Sequence, residues 1–288
     1  MTELQLLEAA SRKHVLFVGE KIIDMYHYVK PLGKASKDTV LSVEHQSTET
    51  FEGGMIAAKN HAVDFCAKVD WHSGGKAIRK ERWVEGSHIK KLFEVYVVDG
   101  REDTICPPVS HYDAVVVCDY GHGMMSEDMV DTICKNAQYL AVNVQTNSGN
   151  YGFNLATKYP HADYLCVDEP EARLATQNRS GPLEASLVAL GQIAGKVVVT
   201  LGKRGACGYE KESGYVEVPA FTDAVIDTIG AGDAFFAITA LVAEQADMKS
   251  LLRIGNAAGA IKAGIVGHRR SVTKDELIAR LNEAHLPF

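Results

Sequence analysis

The feature that most restricts the fold of this chain is an alternation of strand-length apolar runs with helical patterns, repeated over most of its 288 residues. The apolar runs fall at residues 14–19, 114–118, 139–143, 162–167 and 196–201. Helical patterns occupy 126–137, 169–177, 183–193, 231–244 and 249–263. Strands that alternate with helices read as βαβ units, so a largely parallel sheet covered by helices on both faces is expected. Two stretches interrupt this rhythm. Residues 23–28 and 40–51 are rich in Val, Thr, Tyr and Phe with no helix between them, and 78–85 and 92–98 flank a turn at Gly86-Ser87. They read as antiparallel strands that leave the main sheet as a small lid, with one apolar face that needs covering.

Composition removes several classes. Hydrophobic residues make up 46% and charged residues 23%, enough for a sizeable core and ordinary for a globular chain. Thirty Lys and Arg against 37 Asp and Glu leave a net charge of -7, which argues against a nucleic-acid footprint. A small anion site needs only a few local donors and remains open. The six cysteines occur singly with no C-x-x-C spacing, so they read as reduced, mostly packed thiols. Residues 1–12 form a polar helical pattern without a signal-peptide core, and no apolar run is long enough to span a bilayer. A cytoplasmic protein with no membrane and no nucleic-acid partner is expected.

The segment Asp227-Thr-Ile-Gly-Ala-Gly-Asp-Ala-Phe-Phe-Ala237 carries the chemistry. Gly230 and Gly232 bracket a turn, and an apolar helical run follows. Glycines let backbone N–H groups converge, and a helix start adds about half a positive charge. Such a place suits a phosphoryl group gaining negative charge in its transition state. Asp233, in the first turn, can accept a proton from a substrate hydroxyl. The plainer reading is a glycine turn with a carboxylate stabilised by the helix dipole.

The whole string resembles the signature of the ribokinase-like carbohydrate kinases. So do Thr200-Leu-Gly-Lys-Arg-Gly205, Asp168-Glu-Pro-Glu171, Asn256-Ala-Ala-Gly-Ala260, residues 19–24 and the Gly53-Gly54 pair. Within that family, Pro31-Leu-Gly-Lys34, Asp119-Tyr-Gly-His-Gly123, Asn143-Val-Gln-Thr-Asn-Ser148 and Gly267-His-Arg-Arg-Ser271 are similar to the heptose-7-phosphate kinase branch. The resemblance implies one kinase domain over 1–288, with a mostly parallel sheet and lid strands from about 23–51 and 78–98. It implies transfer of the ATP γ-phosphoryl to a hydroxyl of a sugar or sugar phosphate, a heptose phosphate among the candidates.

On this reading Asp233 is the base, and Gly230, Ala231 and Gly232 form the anion hole. Asp24, Gly53, Gly54, Lys34 and Asn60 are the substrate candidates. Thr200, Gly202, Gly205, Asn256 and Asn143 are the nucleotide candidates, while Glu171 and Asp168 act through magnesium. A monovalent cation is a further candidate cofactor. Arg79, Arg82 and Lys90 join Lys34 as cations able to meet a substrate phosphate. The lid strands are expected to join two subunits into a homodimer.

Three departures stand out. Asp168 replaces the family's Asn. Ala58 replaces an expected Asn, with Asn60 two positions away and about 200° around a helix. Only ten residues separate Lys68 from Arg79, too few for the usual strand–helix unit. That shortening motivates a second reading, a degenerate kinase retained as a sugar- or nucleotide-binding scaffold, against which the intact Gly230–Asp233 string weighs.

Overall fold

A computed structural model describes residues 1–74, 78–86, 90–98, 104–221 and 225–283. The chain begins with α1 (Glu3–Ala10), started by a capping box in which Thr2 and Gln5 satisfy each other's backbone N–H groups. Then come β1 (His14–Gly19), β2 (Lys21–Lys34), β3 (Leu41–Gly54), α2 (Met55–Ala62), β4 (Lys68–His72), β5 (Ile78–Glu85) and β6 (Lys90–Val97). The middle of the chain is β7 (Ala114–Asp119), α3 (Glu127–Asn136), β8 (Leu140–Val144), β9 (Ala162–Asp168), α4 (Glu169–Ala175), α5 (Leu183–Leu190) and β10 (Ala194–Thr200). It closes with β11 (Ala206–Glu210), β12 (Gly214–Val218), α6 (Ala231–Val242), α7 (Met248–Ala263) and α8 (Lys274–Glu283).

Eight strands form the main sheet in the order β12-β11-β10-β9-β8-β7-β1-β4. Pairing is parallel from β10 to β4 and antiparallel only at β10–β11 and β11–β12. Side chains of successive residues leave a strand on opposite faces, and here both faces are apolar. Val15, Phe17, Val116 and Cys118 pack under α1, α2, α6 and α7, whereas Leu16, Val18, Val115 and Val117 pack under α3 and α5. Phe236 of α6 stacks on Tyr164 of β9 at 6.1 Å, and the Tyr164 hydroxyl lies 2.9 Å from Thr239 Oγ1. This contact seats α6 across the sheet.

A second sheet, in the order β3-β2-β5-β6, is the lid. The expected strands are present, but the pairing differs from an all-antiparallel lid: β2 and β5 run parallel in its centre. The reason is the path between them, since the chain enters the main sheet through β4 before returning. β2 and β3 also reach further than expected, forming a ribbon from Lys21↔Gly54 to Lys34↔Leu41. Ser87 of the expected turn lies outside the described residues.

The shortened segment keeps a strand. α2 stops at Ala62, and Lys68–His72 then form β4 beside β1 at the sheet edge. Among the described residues no helix lies between β4 and β5. The family's usual unit is therefore reduced to its strand. Two strands and a helix that the sequence reading did not anticipate, β11, β12 and α8, complete the C-terminal half.

Phe236 is almost fully buried. Phe236→Ala is expected to lower unfolding stability by about 3–5 kcal/mol through lost burial and a residual cavity, read from a urea denaturation curve.

Candidate functional site

The carboxyl ends of β1, β7, β8, β9 and β10 open on the same edge of the sheet, where a doubly wound fold binds its ligands. α6 starts at that edge. Gly230 caps it with φ +75°, a left-handed conformation that a side chain resists. The Ala231 N–H turns back to the Thr228 carbonyl at 3.3 Å. Among the described residues the N–H groups of Gly232 and Asp233 have no acceptor, and no side chain caps the helix. Those donors face outward with the positive end of the helix dipole.

Asp233 is held from two sides. Its Oδ1 accepts from the Tyr120 hydroxyl at 3.1 Å, just beyond β7, and from Gln145 Nε2 at 2.9 Å, just beyond β8. Gln145 is in turn 3.2 Å from Asn143 Oδ1, and Asn143 Nδ2 donates to the Cys166 carbonyl at 2.8 Å. Asn143, a nucleotide candidate in the sequence, is thus a buried brace for the residue that holds Asp233.

Opposite Asp233, the inner face of the lid presents a charged cluster. Register pairs Asp24 with Lys80 and Tyr26 with Arg82 across β2 and β5. Arg82 bonds the Asp24 carboxylate and lies 3.2 Å from Glu94, while His268 Nε2 approaches Asp24 Oδ2 at 3.3 Å. Burial acts to raise the Asp24 pKa, but the His268 hydrogen bond and Arg82 hold it below the usual carboxylate range. A Cβ at Gly53 would stand 2.2 Å from Asp24 Oδ2, so glycine there lets β3 pass close behind the carboxylate. Burial lowers the Lys80 pKa against the pull of Asp24. Burial and the charge of Lys80 bring His122 down to about 4. His122 Nε2 and His268 Nδ1 are both buried without a hydrogen-bond partner among the described residues, the condition a polar ligand would relieve.

The remaining candidates separate clearly. Gly54 starts α2 beside the Glu20 carbonyl. Lys34 lies at the far, exposed end of the lid ribbon, ten residues beyond Asp24 and so roughly 30 Å along the strand. Arg79 faces outward to Glu81, and Lys90 is exposed, leaving Arg82 as the one sequence-named cation of the four at Asp24. Asn60 sits on the half-exposed side of α2, and no described hydrogen bond joins it to Asp24, His268 or Asp233. Thr200, Gly202 and Gly205 form the turn from β10 into β11. Asn256 spends its amide on the Val218 and Pro219 carbonyls at 3.0 and 3.1 Å, which fixes the strand end rather than presenting the amide to a ligand.

Asp168 and Glu171 form a capping box on α4: Glu171 Oε1 accepts the Thr146 N–H and Oε2 the Asp168 N–H. Burial, then the charges of Asp168 and Asp233, push the Glu171 carboxyl up to about 8, opposed in part by those N–H bonds. Asp168 and Glu171 bring two carboxylates together here, but among the described residues no group of three or more His, Cys, Asp or Glu could hold a metal ion by itself. Both Glu171 oxygens already accept backbone N–H bonds, so the fit is to an ion that keeps its waters and takes phosphate ligands.

Glu20, Asp119 and Lys80 were missed by sequence reasoning. Glu20 accepts the N–H groups of Tyr120 and His122 at 2.9 and 3.0 Å and so shapes the turn that carries Tyr120. Asp119 accepts from the Tyr159 hydroxyl at 2.7 Å and pairs with Lys158. Both stood in stretches the resemblance had marked, residues 19–24 and Asp119–Gly123, but with no role assigned to either side chain.

A model of the "pfkB family carbohydrate kinase" family matches residues 111–275. "Bifunctional protein HldE" of Nitrobacter hamburgensis is 29% identical over 194 residues, covering 64% of this chain, and the match spans 37% of that relative's length. A crystal structure of a putative ribokinase from Agrobacterium tumefaciens superposes with a TM-score of 0.72 at 17% identity, over 95% of this chain and 99% of that one. Phosphofructokinase-2 from Escherichia coli in complex with potassium gives 0.68 at 14%, over 95% and 99%. Among the described residues no helix is long and apolar enough to cross a membrane.

Burial and the neighbouring Asp119 raise the Glu20 pKa from 4.5 to about 7. The folded protein therefore holds a proton that the unfolded chain has released, and stability is expected to fall as pH rises from about 4.5 to about 7. Glu20→Gln should flatten that slope in urea midpoints taken at pH 5 and 7.5. An unchanged difference between the two pH values would remove Glu20 as its source.

Proposed function

Because this chain belongs to the pfkB family of carbohydrate kinases, we propose that it transfers the γ-phosphoryl group of ATP to a hydroxyl of a sugar or sugar phosphate, at the start of α6. The observation that carries this reading is Asp233 itself. It is oriented by Tyr120 and Gln145 beside backbone donors that lack a protein acceptor.

In the proposed step the sugar hydroxyl gives its proton to Asp233. A bond forms from its oxygen to the γ-phosphorus as the bond to the bridging oxygen breaks, and ADP leaves with that electron pair. The N–H groups of Gly230, Ala231 and Gly232 are assigned to the phosphoryl oxygens, with those of Gly232 and Asp233 the ones left without a protein acceptor. Magnesium, when bound near Asp168 and Glu171, supplies positive charge to the phosphates. The nucleotide is assigned to the turn holding Thr200, Gly202 and Gly205, with Asn256 shaping its wall.

Asp24 is assigned to the sugar hydroxyls. Lys80 and Arg82 on the same lid face, with the unpartnered nitrogens of His122 and His268, favour an acceptor that already carries a phosphate. Heptose phosphates belong in the first panel tested. The direct experiment is ADP release measured across sugars and sugar phosphates. Asp233→Asn is expected to lower kcat about 10²–10⁴-fold with ATP affinity unchanged. Turnover within a few-fold of the unmodified protein would end the assignment of the base.

The outer face of the lid favours a homodimer. Trp83 stacks between His27 and Phe93, at 4.5 and 4.7 Å, and Leu32, Leu41, Phe93 and Val95 are exposed along the same small sheet. A two-fold pair of lids would cover these side chains and shield the phosphoryl site from water. Light scattering at micromolar concentration is expected to give twice the mass of the 31.3 kDa chain, and a mass of one chain would exclude the clasp.

A further inference from the structure

The most deeply buried basic side chain among the described residues lies directly behind the start of α6. Lys262, on α7, has no exposed surface. Its Nζ donates to the Ile229 carbonyl at 2.7 Å and approaches the Ile265 carbonyl at 3.4 Å. No carboxylate among the described residues forms an ion pair with it. Asp227 and Asp233 lie near enough to favour the charge, yet burial outweighs them, and a Met would fill the space without that penalty. Its retention calls for a role that charge performs.

The two carbonyls belong to the loops that build the site. Ile229 immediately precedes Gly230, the left-handed cap of α6. Ile265 lies two residues before Gly267, whose N–H donates to Asp227 Oδ2 at 2.9 Å, while Asp227 Oδ1 accepts the Ile229 N–H at 3.1 Å. The Ile226 and Asp227 N–H groups return to the Ala263 carbonyl at 2.9 and 3.1 Å. Asp227 thus gathers the N–H groups of both loops, and Lys262 gathers their carbonyls. A Cβ on Gly230 would lie 3.3 Å from Lys262 Cε, so the side chain passes against the cap itself. Its charge stands behind the helix end where a phosphoryl group would gain negative charge.

We propose that Lys262 is a built-in monovalent cation: its ammonium occupies the carbonyl pocket behind Gly230, positions the anion hole, and frees phosphoryl transfer from any need for added potassium. An ammonium and a potassium ion carry the same charge, and both are held by backbone carbonyl oxygens. Those of Ile229 and Ile265 are already taken by the chain's own cation, so the residues behind the cap do not fit the monovalent cation that the sequence resemblance suggested. Lys262 acts through the backbone of Gly230–Asp233 and is a positioning residue. The inference rests on reading that turn as the phosphoryl site.

The test uses the full chain in potassium, sodium and tetramethylammonium salts at equal ionic strength. Activity is expected to agree within about twofold, and clear stimulation by potassium would overturn the proposal. Lys262→Met keeps the bulk and removes the charge. It should lower kcat about tenfold or more while the KM for ATP moves less than about threefold, since the loss falls on transition-state charge. A folded Lys262→Met protein with unchanged kcat would also overturn it. Lys262→Ala opens the pocket, and ethylammonium or potassium should then restore part of kcat, as no purely packing role would allow.

A readout independent of turnover separates this proposal from the kinase reading. Crystals grown in rubidium chloride should show anomalous scattering between the Ile229 and Ile265 carbonyls in Lys262→Ala and none there in the unmodified protein. Rubidium at that position in the unmodified protein, or its absence from a folded Lys262→Ala protein, refutes the built-in cation whatever the activity. Failure of the unmodified chain to phosphorylate any acceptor, with the rubidium pattern as expected, would instead refute the kinase reading alone.

Discussion

The start of α6 is the constraint around which the rest of the structure is arranged. A helix that begins with unpaired N–H groups and a free carboxylate at a sheet edge is poorly satisfied unless its surroundings supply partners. Each neighbouring element contributes one. The end of β7 brings Tyr120, the end of β8 brings Gln145, and α7 brings Lys262 beneath the cap. Behind these stand Glu20, which holds the Tyr120 turn by its N–H groups, and Asn143, which holds Gln145. What remains unpaired is the pair of N–H groups that an anion would take.

The lid completes the site from the other side, through register. A parallel pairing of β2 with β5 places Asp24, Tyr26, Lys80 and Arg82 on one face, turned toward α6, and leaves His27, Trp83 and Phe93 on the other. A one-residue slip would exchange the two faces and turn Asp24, Lys80 and Arg82 away from the site. β4 is what makes that parallel pairing possible, since the chain must cross back through the main sheet between β2 and β5. The shortened segment after α2 thus retains the one strand on which the lid's geometry depends.

Part of the candidate site was legible from local pattern alone. The Gly230–Asp233 turn could be read because glycine and a first-turn carboxylate act through their own backbone. The parallel sheet could be read because its strands are buried on both faces and separated by helices. The roles of Lys80, Glu20 and Asp119 could not, since a charged residue beside an apolar run or within a charged strand looks solvated until the packing shows otherwise. Lys34 and Asn60 point the opposite way: each stood in a suggestive motif, yet β2 carries Lys34 to the far end of the ribbon and α2 turns Asn60 from the site.

The amino-acid sequence by itself determined the fold class, the position of the helix start and the presence of a separate β lid, because each follows from periodicity and backbone conformation within a short window. Tertiary structure alone decided what those parts do together. Asn143 and Asn256 became braces for neighbouring segments, Asp168 and Glu171 became a capping box, and Lys262 became a buried charge on two carbonyls. The reason is that a polar side chain's role is set by the partners left to it after burial. Those partners come from strands and loops far apart in the chain, 88 residues for Gln145 and Asp233 and 113 for Tyr120 and Asp233.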